Sequence, residues 1–518
     1  MATIEYLQYK RVYPVVFFIL VFIFFTYPLG LSDYWWHLSS GRWIWENGSI
    51  PSVDQFTYSY AKDENIRRVV ILKAYWLSQI LYYLIYMSLG KWGLILLKAS
   101  LLTFPLWLLW RYMIYKGVDS VVSLIVITPL PLFLFRLDEL RPVLFSFVGA
   151  ISVFYVVEVI VDRLRENKSI GKYLFVLPLI MLLWANLHRG FVIGWVLLLG
   201  YLFFEVVKYI QKKNSLTSTA FRSLLILFGV SIIASLVNPN GVYAFIGNQS
   251  ELAGPFMEVI DEFFSLWKYA RFYDAMFIFY GCVFIAIFST LVMIVNRRKV
   301  EPIHWVLLGG FVYEGLSTFR FSFFMVVMSL ALFSASFKDY SVTIGAKYPR
   351  AVTGVSVLSL VFLLSFGLQR SAFIYGPWEG AYFPTDAARF VYRNKPPGNL
   401  FNAHEYGGYL GWVLYPEYKL FIDQRNLDYS VYEEYGQSVS GDYRPVFEKY
   451  NINTVLFYNR QPVVDRNPEI VSKLLHDPEW QLVYFDKIAN VFVRASKNNN
   501  LPAINKLNAI EFLHKEDN

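Results

Sequence analysis

The chain has 518 residues, of which 56% are hydrophobic, 19% aromatic and only 17% charged. Its mean hydropathy of +0.40 is too high for a soluble globular protein and indicates a polytopic membrane protein. The formal net charge of +8 comes from lysines and arginines between apolar segments, so we attribute it to membrane topology and exclude nucleic acid as a partner.

Apolar segments alternate with short charged joints along the first part of the chain. The first segment, 12–31, has about the twenty residues needed to cross roughly 30 Å of hydrocarbon, and we expect a retained anchor rather than a signal peptide. The later apolar segments are 75–90, 92–114, 120–135, 142–161, 173–187, 190–210, 222–238, 275–296, 303–318, 321–337 and 351–369.

The basic joints predict the topology, because lysine and arginine clusters lie on the cytoplasmic side of a membrane. They all fall on one side if segment 75–90 is re-entrant or interfacial rather than a crossing. We therefore expect about eleven spans in the plasma (inner) membrane, a cytoplasmic amino terminus and an extracytoplasmic carboxyl terminus. The basic joints are 10–11, 111–116, 163–172, 208–222, 297–299 and 338–350.

The joints assigned to the outer face carry acidic, cationic and histidine side chains. A charge at mid-span costs about 2.5–3.5 kcal/mol on insertion scales, so such residues near a membrane are commonly functional or paired. We interpret these joints as the rim of one cavity. The candidate site residues are Asp33, His37, Asp54, Asp138, Arg141, His188, Arg189, Glu262 and Arg320.

The composition changes after Leu368, and residues 370–518 predict an extracytoplasmic α/β domain behind a transmembrane domain, 1–369, whose first outer loop is 33–73. The α/β assignment follows from alternating strand and helix patterns. Predicted strands are 399–403, 419–423, 454–458, 480–485 and 489–494, and predicted helices are 407–414, 443–450 and 469–476.

Several short motifs resemble a group of poorly characterised prokaryotic membrane proteins that is similar to the polyprenol-dependent glycosyltransferases of the GT-C superfamily. The resemblance covers nearly the whole chain. It departs from the group at Tyr75, where a glutamate is expected. The motifs are Asp33-Tyr-Trp-Trp-His37, Asp54-Gln-Phe-Thr-Tyr58, Trp184-Ala-Asn-Leu-His188, Asn238-Pro-Asn-Gly241 and Phe421-Ile-Asp-Gln-Arg425.

This resemblance implies a GT-C-like helical fold and transfer of a sugar from a polyprenyl-phosphate or diphosphate donor. The acceptor on the outer face would be a lipid, a glycan or a protein. An acidic residue of the first loop would serve as base or metal ligand, with Mg²⁺ or Mn²⁺ as the metal. Cations or a metal would stabilise the charge that grows on the departing phosphate.

For the first-loop residues, each functional role has a structural alternative. Asp33 is the first candidate for the base, and the alternative is a helix cap. Asp54 is a second acidic candidate, or a residue that shapes a turn. His37 is a candidate ligand for a metal or a phosphate, or an interfacial residue beside two tryptophans.

The later joints also leave alternatives open. Asp138 is a candidate acidic or metal-binding residue and Arg141 a phosphate contact, unless both pair with the neighbouring Arg136 and Glu139. We expect His188, Arg189 and Arg320 to bind the lipid phosphate, because a guanidinium is a planar fork of donors that suits phosphate oxygens. The outer-loop carboxylate Glu262 is a further candidate.

Two other functions compete with the glycosyltransferase. One is a transporter or flippase of a lipid-linked or small solute, although we find no paired halves with broken helices. The other is a ligase or polymerase of surface polysaccharide, which differs in the length of its donor. A glycine-rich phosphate loop is absent from the sequence, which argues against an ATP-driven pump.

Overall fold

The computed structural model describes residues 2–30, 33–60, 66–134, 139–212, 216–245, 260–376, 383–459, 469–498 and 500–506. The chain forms two compact units. Unit 1 comprises Met1–Leu29 and Ser88–Pro377, and unit 2 comprises Gly30–Met87 and Trp378–Asn518. The predicted boundary at 369 followed composition, whereas packing groups the first loop, 33–73, with the carboxyl-terminal part of the chain.

We number the described helices in chain order. Each apolar segment predicted from the sequence overlaps a helix, although α1 ends at Phe24, before the predicted end at 31, and segment 120–135 is divided between two short helices. Helices α2 and α3 belong to unit 2, and α4 begins there and continues into unit 1. They are α1 (Ala2–Phe24), α2 (Asp33–Asn47), α3 (Ile66–Ala74), α4 (Trp76–Tyr115), α5 (Ser120–Ile127), α6 (Leu130–Phe133), α7 (Val143–Arg165), α8 (Tyr173–Leu187), α9 (Val192–Gln211), α10 (Ser218–Leu236), α11 (Leu266–Phe272), α12 (Met276–Val295), α13 (Pro302–Ser317), α14 (Ser322–Lys347), α15 (Pro349–Arg370) and α16 (Ala372–Tyr375).

Length and apolarity make this a multi-pass membrane protein. Among the described residues, seven helices are long and apolar enough to span a membrane. The count of about eleven spans stays a prediction. Five of these candidate spans begin at the first residue of a helix, namely α4, α7, α10, α12 and α15. The other two begin at Arg189 and Phe319, just before α9 and α14.

Helix α4 breaks at Gly90, whose φ of 60° and ψ of −150° fit glycine because it lacks a Cβ atom. The break separates the segments 75–90 and 92–114, which the sequence also predicted as two. The boundary between the two compact units falls beside it, at Ser88.

Helix α14 is the buried centre of unit 1. Every residue from Ser322 to Ser334 is buried, and the helix packs against α12, α13 and α15. Small residues on its surface let neighbouring helices approach closely. The hydroxyl of one of them, Ser334, donates a hydrogen bond to the Leu330 carbonyl of the same helix at 2.7 Å. The start of α14 at Ser322, two residues after Arg320, is thereby held inside the helical unit.

A buried charge cluster joins α7, α9 and α13 to the residue after α4, near the predicted cytoplasmic joints. The Glu158 carboxylate lies 2.7 Å from Lys116 Nζ and 3.0 Å from His304 Nε2. It also accepts a hydrogen bond from the Tyr201 hydroxyl at 2.5 Å. Such a cluster is stable only while its charges stay mutually compensated.

In unit 2, four strands form one sheet in the order β1-β2-β4-β3. Strands β1 and β2 are parallel and the other two pairs are antiparallel. Every residue of β2 is buried, as its apolar composition predicts. The strands are β1 (Asn399–Asn402), β2 (Ile452–Tyr458), β3 (Trp480–Phe485) and β4 (Ala489–Arg494), and the helices are α17 (Thr385–Asn394), α18 (Gly407–Leu414), α19 (Tyr429–Ser440), α20 (Arg444–Lys449) and α21 (Glu469–His476).

One predicted strand is wrong. Segment 419–423 makes only isolated bridges, in which Leu420 pairs with Leu400 and with Thr57 of the first loop. The Leu420 N–H donates to the Phe56 carbonyl at 2.8 Å, and the Tyr58 N–H donates to the Leu420 carbonyl at 3.0 Å. The segment is too short for a ladder, and it fastens the first loop to the sheet of unit 2.

We predict that Glu158→Ala destabilises unit 1, because it leaves the buried His304 without its carboxylate and Lys116 with Asp162 alone. The expected loss is about 3–5 kcal/mol. The control is Asp339→Ala, which removes an exposed pair with Lys299 and should leave the stability nearly unchanged, because exposed pairs are screened by water. Thermal unfolding of the purified protein, followed by tryptophan fluorescence, measures both. Equal midpoints for the two variants would contradict the prediction.

Candidate functional site

The joint between α8 and α9 is built by a short interruption of two apolar helices. Helix α8 ends at Leu187, and His188 is extended, with φ −157° and ψ 137°. A 3₁₀ turn, Arg189–Phe191, then leads into α9. His188 and Arg189 are only 5% and 6% exposed, so the chain break places two polar side chains inside the unit.

The joint between α13 and α14 repeats this construction. Thr318 is extended, with φ −143° and ψ 121°, and the 3₁₀ turn Phe319–Phe321 follows. The Phe319 N–H donates to the Phe264 carbonyl at 2.8 Å. The guanidinium of Arg320 lies 5.6 Å from the ring centre of Phe263, within the range of a cation–π contact.

Both joints line one cavity of about 470 Å³. Its polar lining comes from the joints, from Ser146 of α7, and from Tyr313 and Glu314 near the end of α13. Its apolar lining continues along α13 as far as Val306, about eleven residues or about 16 Å from the end of that helix. The apolar residues include Val143, Val192, Ile193, Val196, Val306, Leu307, Phe311 and Phe324.

The rim of the cavity lies on the outer surface of the helices. Val196 and Val306 are each 58% exposed and Tyr313 is 69% exposed. In a membrane protein such apolar side chains face lipid. The two guanidinium groups and the Glu314 carboxylate leave a net charge of about +1 when His188 is neutral. The cavity is therefore a slot with cations at one end and apolar walls beyond them.

The described hydrogen bonds of the His188 ring include two at Nδ1. Its Nδ1 accepts the Gly190 N–H at 3.0 Å and lies 2.6 Å from the Ser146 hydroxyl oxygen. The Trp184 indole N–H donates to that same oxygen at 2.7 Å. Ser146 is 1% exposed, so the arrangement is shielded from water.

Arg141 and Glu262 meet in unit 1, but in an ion-pair cluster. The Arg141 guanidinium lies 2.5 Å from the Glu139 carboxylate and also contacts Glu262. This geometry favours the pairing alternative over a phosphate contact for Arg141. Asp138 and Arg136, predicted beside it, lie outside the described residues.

In unit 2, Asp54 is a structural residue of the first loop. Its carboxylate accepts the N–H groups of Phe56 and Thr57 at 3.3 and 3.1 Å. It also pairs with Arg425 at 2.6 Å, and both side chains are at most 5% exposed. Arg425 in turn pairs with Asp423 at 2.5 Å. The geometry favours the turn-shaping alternative for Asp54 over a catalytic role.

Arg425 is stabilised in its charged form although its side chain is buried. Burial lowers the pKa of its guanidinium, but the Asp423 and Asp54 carboxylates outweigh burial and raise that pKa. The ion pair between Asp423 and Arg425 therefore extends to Asp54 of the first loop.

Asp33 and His37 lie in α2, also in unit 2. Asp33 lies in the first turn of this helix, where the helix dipole favours a negative charge. Its side chain is half-buried. His37 is 2% exposed, and its ring centre lies 3.5 Å from that of Trp36. The Gln79 amide nitrogen lies 3.4 Å from His37 Nδ1. This packing favours the structural alternative for His37.

A divalent metal ion is implied by the family resemblance, and we tested the described residues for it. Within the described ranges, no three histidine, cysteine, aspartate or glutamate side chains gather where they could hold a metal ion. Glu139 and Glu262 do converge, but they converge on the Arg141 guanidinium. Asp138, one of the two candidate metal ligands, lies outside the described residues, so the metal ion stays a prediction.

The site predicted from the sequence did not include Glu314 or Ser146 in this region, and it gave no role to Trp184. Glu314 carried a signal, because a carboxylate one turn before Thr318 interrupts an apolar segment. Ser146 carried none, since a serine inside an apolar helix usually bonds to its own backbone.

No protein-family model matches the chain, and no curated protein matches its sequence. Solved structures do match its fold. The archaeal oligosaccharyltransferase AglB from Archaeoglobus fulgidus, in complex with an inhibitory peptide and a dolichol-phosphate, has a TM-score of 0.58 and 12% identity. The match covers 95% of this chain and 75% of that one.

Two further structures of the Archaeoglobus fulgidus oligosaccharyltransferase are similar. The apo form has a TM-score of 0.54 and 13% identity, over 86% of this chain and 69% of that one. The form tethered to an acceptor peptide with the NVT sequon has a TM-score of 0.51 and 11% identity, over 87% and 69%. The chain therefore has the same overall fold as these structures.

We predict that Arg425→Met strongly destabilises unit 2, because two buried carboxylates then lose their cation. The expected cost is about 3–5 kcal/mol, which lowers the unfolding midpoint by about 6–20 °C for a unit of this size. Arg389→Met is the control, since its pair with Asp386 is exposed. The prediction fails if both variants unfold at the temperature of the unmodified protein.

Proposed function

We propose that this protein is a membrane glycosyltransferase that moves a sugar from a polyprenyl-phosphate or diphosphate donor to an acceptor on the outer face of the plasma (inner) membrane. The observation that carries the proposal is the cavity of unit 1, with its cationic joint residues and apolar walls. The GT-C fold supports it, since one similar structure contains a dolichol-phosphate.

The lining of the cavity suits both parts of such a donor. The guanidinium groups of Arg189 and Arg320 offer forked donors for phosphate oxygens. The net charge of about +1 complements a singly charged phosphodiester. The apolar walls along α9 and α13, with an exposed rim, suit an isoprenoid tail that enters from the lipid.

The proposed reaction breaks the bond between the sugar C1 and the phosphate oxygen and forms a bond from C1 to the acceptor. The acceptor loses its proton to a carboxylate base. The polyprenyl phosphate leaves with the bonding electrons and gains negative charge. Arg189 and Arg320 stabilise that charge. Fixed cations speed a reaction most when they stabilise charge that develops in the transition state.

We propose Asp33 as the carboxylate base, on the ground of its place in the first loop and its match to the family motif. Glu314 is the competing carboxylate, because it lines the cavity. The acceptor is a lipid, a glycan or a protein, and the peptide tethered in a similar structure supports a protein acceptor. We further propose that residues 370–518 lie outside the cytoplasm.

We predict that Arg320→Gln and Arg189→Gln each lower kcat/KM for the lipid-linked donor by about 10- to 100-fold, because each removes a charged hydrogen bond to the phosphate. Arg271→Gln is the control, since this arginine of α11 is exposed and does not line the cavity. The assay follows sugar release from polyprenyl-phosphate sugars by purified protein in lipid nanodiscs.

Equal activity of all three arginine variants would contradict the proposed donor site. If no donor is turned over but a labelled donor crosses proteoliposome membranes, the transporter alternative holds instead. Turnover only with long-glycan donors would indicate a polysaccharide ligase or polymerase.

We predict that Asp33→Asn lowers kcat by about 100-fold or more with little change in the KM of the donor, because a general base acts in the chemical step. Glu46→Gln, an exposed change in the same helix, should leave kcat unchanged. Full turnover by Asp33→Asn, together with loss of turnover by Glu314→Gln, would transfer the role of base to Glu314.

A further inference from the structure

The described hydrogen bonds among His188, Ser146, Gly190 and Trp184 decide whether Nδ1 of the His188 ring carries a hydrogen. Trp184 Nε1 carries a hydrogen and can only donate, so the Ser146 oxygen is the acceptor of that bond. The backbone N–H of Gly190 also can only donate, and it points at His188 Nδ1. A hydrogen on Nδ1 would collide with it.

The Ser146 hydroxyl completes the pattern. Because Nδ1 has no hydrogen to give, the Ser146 hydroxyl donates its own across the 2.6 Å separation. Nδ1 is then the shared acceptor of two hydrogen bonds. In a neutral imidazole one nitrogen accepts and the other donates, so the hydrogen of His188 is on Nε2.

Tight packing holds these groups in place. A Cβ atom at Gly190 would lie within 2.8 Å of His188 Nδ1. A Cβ atom at Gly149 would lie within 2.6 Å of the Trp184 ring, and one at Gly194 would lie 3.2 Å from it. Glycine at these positions lets the indole and the imidazole approach the backbone closely.

The geometry assigns His188 as a hydrogen-bond donor, through Nε2–H, to a phosphate oxygen of the cavity's ligand. It also assigns Ser146 and Trp184 as the residues that position the ring. This inference rests on the proposed function and deepens it. A metal ion needs the lone pair of Nε2, which this tautomer does not offer, whereas an anionic oxygen needs the hydrogen that it does offer.

The first test reads the tautomer without any ligand. Full-length protein labelled with ¹⁵N-histidine gives one imidazole signal that disappears in His188→Gln and is thereby assigned. We expect its ¹⁵N shifts to show hydrogen on Nε2 and none on Nδ1. A hydrogen on Nδ1, or on both nitrogens at neutral pH, would overturn the assignment whatever the protein's activity.

The second test adds three probes to the same sample. Undecaprenyl phosphate should shift the His188 Nε2 signal, and undecaprenol, which has the same tail and no phosphate, should not. Mn²⁺ should leave the signal sharp. Selective broadening of this signal by Mn²⁺ would show a metal ligand and overturn the inference. If undecaprenyl phosphate fails to bind while the tautomer is as stated, the proposed function fails instead.

The third test separates positioning from simple packing. Ser146→Ala removes both hydrogen bonds of the Ser146 hydroxyl, and Trp184→Phe removes the one that the indole donates to it. Both variants fill most of the same space. We expect each to weaken undecaprenyl phosphate binding by about 3- to 10-fold and to leave undecaprenol binding unchanged. Ser146→Thr, which keeps the hydroxyl, should bind like the unmodified protein. Equal weakening for phosphate and alcohol would reduce both residues to a packing role and overturn their assignment.

Discussion

A charged side chain buried between apolar helices must meet an opposite charge, hydrogen-bonding groups or a ligand, because uncompensated charge in such surroundings is costly. Unit 1 meets this constraint in two ways. Near the predicted cytoplasmic joints, Glu158 is surrounded by Lys116, His304 and Tyr201. At the other joints, His188, Arg189 and Arg320 stand around a cavity.

The second arrangement depends on two chain breaks of the same kind. An extended residue, His188 or Thr318, ends one apolar helix, and a 3₁₀ turn begins the next. Each break turns an arginine and its neighbouring backbone toward the interior at the end of a long apolar wall. The result suits an amphiphile that has an anionic head and a hydrocarbon tail. This is the physical reason for preferring a lipid-linked donor over a small polar solute.

The sequence predicted the helices well because apolar segments and charged joints are local signals. It also singled out His188, Arg189 and Arg320, which line the cavity, because a charge beside apolar runs is conspicuous; their role stays a prediction. The pairs of Arg141 with Glu262 and of Asp54 with Arg425 could not be predicted, because the partners are distant in sequence. The role of Ser146 could not be predicted for the same reason, because it depends on hydrogen bonds to Trp184 and His188, which are distant in sequence.

The most direct test of the account is to locate the isoprenoid tail in the intact protein. A polyprenyl phosphate with a photoreactive group near the head is cross-linked in nanodiscs, and labelled peptides are identified by mass spectrometry. The account predicts labelling on α9 and α13, including residues near Val196 and Val306, and competition by unlabelled polyprenyl phosphate. Labelling confined to other helices, or labelling that the unlabelled lipid does not reduce, would contradict it.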